Sequence, residues 1–147
     1  MGYPLPLVAV GGRGALRRRK KTRNDDNNDN DNNCDDNIND ENGNDAGHVR
    51  VYQYSSGSWS QLGSDIDGEA ADDMSGRSIS LSSDGTILAI GAIRNNGNGN
   101  NAGHVRVYQY SSGSWSKLGS DIDGEAANDM SGRSVSLNSD GTTVAIG

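Results

Sequence analysis

The sequence predicts an all-β fold made of antiparallel, four-stranded units. Three observations predict it. Ala46–Gly91 aligns without gaps to Ala102–Gly147, a 56-residue internal repeat, and the copies differ at six positions only. Each copy holds four short segments that read as strands, separated by Gly, Ser and Asp turn signals. No window sustains a 3.6-residue apolar period, so no helix is expected.

In the first copy the strands are expected at His48–Tyr54, Ser58–Leu62, Arg77–Ser82 and Thr86–Gly91. His48–Tyr54 alternates, with Val49, Val51 and Gln53 on one face and His48, Arg50, Tyr52 and Tyr54 on the other. Ser55-Ser56-Gly57 is a hairpin signal, and Trp59 follows it on the second strand. Ile79 and Leu81 share one face of the third strand. Asp84-Gly85 turns the chain into the fourth. The second copy repeats these turns as Ser111-Ser112-Gly113 and Asp140-Gly141.

The six differences are Gln61/Lys117, Asp72/Asn128, Ile79/Val135, Ser82/Asn138, Ile87/Thr143 and Leu88/Val144. Ile79 and Leu88 change only to valine, as buried strand positions allow. Ile87 becomes threonine and should face away from its neighbour Leu88. The expected buried set is Val49, Val51, Ile79, Leu81, Leu88 and Ile90, with Val105, Val107, Val135, Leu137, Val144 and Ile146 in the second copy.

Composition limits the rest. Of 147 residues, 31% are hydrophobic and Phe is absent, while Gly is abundant at 21 and Pro scarce at 2. The net charge of −7 argues against non-specific nucleic-acid binding. A single cysteine, Cys34, excludes an intrachain disulfide. No apolar run is long enough to span a membrane as a helix. The basic residues near the N-terminus follow its apolar stretch, the reverse of a secretory signal.

Four short antiparallel strands per repeat are the pattern of a β-propeller blade. The residues also carry a family resemblance. Ser75-Gly-Arg-Ser-Ile-Ser-Leu-Ser-Ser-Asp-Gly-Thr-Ile-Leu-Ala-Ile-Gly-Ala92, an Asn/Gly loop, Ala102–Tyr110 and the following Ser-Gly-Ser-Trp together resemble the FG-GAP repeat of integrin-α-like propellers. Leu7–Gly12 (LVAVGG) echoes the same strand. The resemblance implies a blade running from about Arg77 to Leu118, with three strands of an earlier blade and two of a later one. It also implies a binding module in an extracellular or cell-surface setting. Residues 1–12 are then expected to be a partial strand of a preceding blade, and 13–45 a disordered stretch, first basic and then Asn/Asp-rich. Residues 46–147 are expected to be two propeller repeats, the second truncated. The chain is expected to be a piece of a propeller whose neighbouring blades lie elsewhere.

Many FG-GAP repeats hold calcium in a D-x-D-x-D-G-x-x-D loop at the Asp-Gly turn. Here Asp84-Gly85 and Asp140-Gly141 remain, while Ser80, Ser82 and Leu88, or Ser136, Asn138 and Val144, stand at the other ligand positions. One carboxylate does not supply the six to eight oxygens calcium takes. The Asp side chains are expected to brace hairpin turns instead.

The remaining motifs are weighed against bland readings. Arg17–Lys21 is a basic run screened by the acidic tract after it, and reads as solvated linker. Asn24–Asp45 fails as an EF-hand, since Cys34 stands where glycine is needed. Asp65-x-Asp67-Gly68-Glu69 and Asp121-x-Asp123-Gly124-Glu125 recur once per repeat, which favours turn chemistry over an active site. His48 and His104 have no Cys or second His near them in sequence. Trp59 and Trp115 read as blade packing, with sugar stacking as the alternative. No catalytic, cofactor or metal residue is assigned, and no cofactor is expected. The chain reads as a non-catalytic module for protein or glycan recognition. The alternatives are part of a propeller enzyme acting on glycans, or a non-functional translation of repetitive DNA.

Overall fold

The computed structural model describes residues 7–12, 39–40 and 43–147. These residues are all strand, turn and loop, with no helix among them. In chain order the strands are β1 (Leu7–Gly12), β2 (Asn39–Asp40), β3 (Gly43–Asn44), β4 (His48–Ser55), β5 (Ser58–Gln61), β6 (Ile66–Asp67) and β7 (Ser75–Leu81). They continue as β8 (Ile87–Ala92), β9 (His104–Ser111), β10 (Ser114–Lys117), β11 (Ile122–Asp123), β12 (Val135–Leu137) and β13 (Val144–Ile146).

The sheets straddle the sequence repeat. The central one runs β7-β8-β9-β10, all antiparallel, and so joins the end of one copy to the start of the next. Its outer edge is in two pieces, since β11 pairs with the first residues of β9 beyond the end of β10. The preceding sheet has the same plan: β1 pairs with β4, and β5 and β6 share the outer edge of β4. Gly12 lies opposite His48 as Ala92 lies opposite His104, so β1 occupies the place of β8. β12 and β13 form a two-stranded hairpin.

The core lies between successive sheets. Val49, Val51, Ile66, Leu88 and Ile90 are buried together, with Ala9, Leu62, Ile79, Leu81, Tyr108 and Trp115 packed around them. Val49 and Val51 come from β4 and Leu88 and Ile90 from β8, so the apolar face of one sheet is closed by the next. Of the expected buried set, Val49, Val51, Leu88, Ile90 and Val105 are buried and the others are half-buried. The half-buried ones concentrate in β12 and β13, against which no later sheet packs among the described residues.

Four further features fasten the sheets. The alternate serines of β7 point away from Ile79 and Leu81: Ser78 Oγ donates to the Gly132 carbonyl at 2.6 Å and Ser80 Oγ accepts from Leu137 N–H at 2.9 Å. Adjacent hairpin turns touch, with Ser83 N–H and Oγ both donating to the Ser139 carbonyl. Trp115 Nε1 donates to the Leu62 carbonyl at 2.8 Å, across the sheet boundary. Gly91 and Gly132 bring their backbones together, as Gly11 and Gly76 do one sheet earlier.

The structure corrects three expectations. Ile87 faces away from Leu88 as expected, yet it is buried at 8% exposure, because Gly141 of the next hairpin packs on its side chain. Thr143, its counterpart, is exposed, so the polar replacement falls where that cover is absent. Ile66–Asp67 and Ile122–Asp123 are short edge strands as well as links. The stretch 13–45 ends in a small ladder, Asn39 opposite Asn44 and Asp40 opposite Gly43, a local closure that Gly43 and the amide-rich sequence permit. Residues 1–6, 13–38, 41 and 42 lie outside the described residues, and the expectation of disorder over them with them.

Candidate functional site

The titratable groups of the repeat collect at one end of the sheets. Strand β9 presents His104 and Arg106 two residues apart, hence on one face. The link after β5 carries Asp65, Ile66, Asp67 and Glu69, and the link after β10 carries Asp121. The strands bring these links together from different repeats. Arg106 Nε donates to Asp121 Oδ1 at 2.9 Å, and its terminal nitrogen reaches Asp121 Oδ2 at 2.8 Å and Glu69 Oε2 at 2.6 Å. Lys117 Nζ adds a contact to Asp121 Oδ1 at 2.5 Å. Arg106 therefore holds an acid of its own repeat and an acid of the preceding one.

The electrostatics follow from those bonds. Hydrogen bonding from Arg106 holds the Asp121 carboxyl far below the usual carboxylate range, with help from Lys117 and against a smaller opposing effect of burial. Glu69 is lowered for the same first reason. Arg106 is raised by the two acids in turn, Asp121 foremost. His104 is 3% exposed, and burial pushes its imidazole below its ordinary value, so the neutral form is favoured. Behind Glu69, the buried Asp73 accepts from Asn95 Nδ2 at 2.8 Å, and the same amide lies 3.4 Å from Glu69 Oε2.

The sequence places Asp65, Asp67 and Glu69 together as turn residues; the structure separates their roles. Asp65 accepts from Arg50 Nε and Gln61 Nε2, both at 2.7 Å. Asp67 lies in β6 opposite His48. Glu69 crosses to the next repeat. His48 sits in the first sheet as His104 does in the second, with Asp65 in the place of Asp121, but no described residue there takes the part of Glu69. The cross-repeat cluster was hidden in the sequence because Glu69 and Arg106 are 37 positions apart. The only signal pointing to it was the recurrence of acid, histidine and arginine once per repeat.

The Asp-Gly turns behave as braces. Asp84 Oδ1 accepts from Ser82 Oγ at 2.7 Å and from Thr86 N–H at 3.0 Å. Asp140 Oδ1 accepts from Thr142 N–H at 2.9 Å, while Asn138 Oδ1 takes Thr143 N–H at 3.0 Å. Hydrogen bonds from Ser82 and then Thr86 lower the Asp84 carboxyl. Calorimetric titration with calcium should accordingly show no binding tighter than about 0.1 mM that is lost on Asp84→Ala and Asp140→Ala. Each substitution should lower stability slightly through the lost turn bonds, as urea unfolding would show.

The two tryptophans differ with position. Trp115 is partly buried on Gly63 and Leu62 of the preceding repeat, whereas Trp59 is half exposed, and each lies against a tyrosine, Tyr110 at 5.1 Å and Tyr54 at 5.3 Å between ring centroids. The bond to Leu62 makes Trp115 a sheet-to-sheet contact.

Fold and site thus define an all-β repeat module whose sheets are coupled through apolar, serine, glycine and charged contacts. Residues 65–108, from Asp65 to the middle of β9, match the FG-GAP repeat. No curated protein matches the chain.

The clasp is testable by removing each end. Arg106→Ala leaves a half-buried Asp121 with Lys117 alone and should cost about 2 kcal/mol. Glu69→Ala removes an exposed partner and should cost less than about 1 kcal/mol. A double-mutant cycle in urea, with the pair coupled by under about 1 kcal/mol, checks the assignment of the clasp as modest glue.

Proposed function

We propose that the chain is a non-catalytic binding module of an FG-GAP-type β-propeller, recognising a protein or a glycan in adhesion at the cell exterior. The observation that carries this reading is the locked Asn/Gly loop between β8 and β9. Asn95 is buried on Asp73, and its Oδ1 accepts from Gly97 N–H at 2.8 Å. Asn96 Oδ1 accepts from Asn101 N–H, and Asn98 Nδ2 donates to the Gly124 carbonyl, both at 2.8 Å. A loop braced by two internal bonds and tied by two more to Asp73 and Gly124 presents polar groups with little ordering cost on binding. The pairing of the acids with Arg106, Lys117 and Arg50 supports cohesion rather than proton transfer as their role. The match to the FG-GAP repeat, a repeat typical of extracellular proteins, supports the setting. No helix of the described residues is long and apolar enough to cross a membrane.

The experiment is a glycan array probed with the full chain and with the triple substitution Asn96→Ala, Asn98→Ala, Asn100→Ala, beside a panel of chromogenic glycosides. Retention of a glycan by the parent chain, weakened at least about tenfold by the loop substitutions and without turnover, is the expected result. Turnover of any glycoside that disappears with Asp121→Asn or Glu69→Gln contradicts the reading.

A further inference from the structure

His104 is an oddity that the clasp does not explain. Its side chain is buried and makes no hydrogen bond among the described residues, whereas buried polar groups are ordinarily satisfied. A ring nitrogen of His104, an oxygen of Glu69 and an oxygen of Asp121 all lie within 4.8 Å of one another. That bound suits donors around a shared atom, since zinc–nitrogen and zinc–oxygen distances are about 2.0–2.2 Å, and none of these three groups hydrogen-bonds another.

We propose that His104, Glu69 and Asp121 form a divalent-cation site at the junction of two successive repeats, with zinc as the ion its donors favour. One imidazole and two carboxylates are the nitrogen and oxygen set that suits zinc, with a fourth position left to water. Calcium and magnesium prefer oxygen alone. Arg106 is the resident competitor, for it already bridges both acids. A guanidinium brings one charge and only donors, so it offers the imidazole lone pair nothing. A divalent ion brings two charges and uses that lone pair. The Arg106–Glu69 arm is half-exposed at Glu69, and exposed ion pairs are individually weak, so an ion can exchange with it first. Entry is from the Glu69 side, since Glu69 is exposed and its Oε1 carries no bond among the described residues. Lys117 stays on Asp121, and Asn95 stays bonded to Asp73 behind Glu69, so Asp73 holds the amide that orients the Glu69 carboxylate.

Among the described residues, the site is built once, at the junction of the two copies. His48 is buried in the same way beside Asp65, but no described acid completes its set. The first sheet is therefore an internal control.

Isothermal titration of the full chain with zinc chloride at pH 7.5 tests the proposal, run in the Cys34→Ser background to remove the thiol. A zinc-binding event is expected that weakens at least about tenfold in Glu69→Gln and likewise in His104→Asn, as loss of a ligand requires. It should change less than twofold in Glu125→Gln, the same residue type at the next repeat, and in His48→Asn. Glu69 is exposed, so its variant keeps the fold even where His104→Asn does not. Zinc affinity unchanged by Glu69→Gln, an equal loss in Glu125→Gln, or no binding tighter than about 1 mM overturns the site.

Discussion

Replacing Gly91 by alanine should cost about 3 kcal/mol or more, because an added methyl has no room between neighbouring sheets. A Cβ on Gly91 would fall 2.2 Å from the Gly132 carbonyl oxygen and 2.5 Å from Ser78 Oγ. The oxygen belongs to backbone, and it already accepts the Ser78 hydroxyl, so neither group is free to yield. Gly91 itself has no left-handed backbone, so the penalty is steric contact between neighbouring sheets alone. Two controls separate this from general intolerance. Gly147 holds the same repeat position, but an added Cβ there meets only Ser134 Oγ at 3.1 Å, and its alanine variant should be close to neutral. Gly113 has φ of 85° with open space around it, so alanine there should cost only about 1 kcal/mol of backbone strain. Urea unfolding followed by tryptophan fluorescence ranks the three.

Leu88→Ala should cost about 3–4 kcal/mol, while Val144→Ala at the same place in the second copy should cost about 1 kcal/mol. Leu88 is fully buried between β4 of one sheet and β7 of its own, so truncation leaves a cavity that surrounding backbone cannot fill. Val144 is half-buried and can be solvated where the methyls were. Leu88→Val imports the residue of the second copy and should cost about 1 kcal/mol, the loss of one methylene. Equal costs at Leu88 and Val144 would mean that burial is set within a repeat and not between repeats.

Much of the fold was legible because it rests on short-range signals. Val49 and Val51, Ile79 and Leu81, Leu88 and Ile90 alternate within single strands, and Asp84-Gly85 and Ser56-Gly57 mark hairpins by their own chemistry. The echo between Leu7–Gly12 and the repeat strand sufficed to place β1. What was not legible depends on what a neighbouring sheet supplies. Ile87 looks like a surface position because its counterpart is threonine; its burial comes from Gly141, in the next repeat. Ser78 and Ser80 look like the wet face of a strand, and they are donor and acceptor to the next hairpin. Asp73 and Asn95 look like loop residues and are buried on each other. Glu69 finds its charged partner outside its own repeat, so its pairing with Arg106 needed the register of two sheets. Alternation shows which side chains point together, whereas the identity of the covering surface is a tertiary fact.

The central claim is that each sheet is assembled across the repeat boundary and locked to the next by close backbone contact. Nuclear Overhauser spectroscopy of the full chain tests it most directly. Cross-strand contacts are expected between Ala89 and Val107, with contacts from the Gly91 α-protons to those of Gly132 and from the Trp115 indole proton to Leu62. If Ala89 instead shows contacts to Val51, and the Trp115 indole proton only to residues of its own repeat, the sheets are closed within each repeat and the account is wrong.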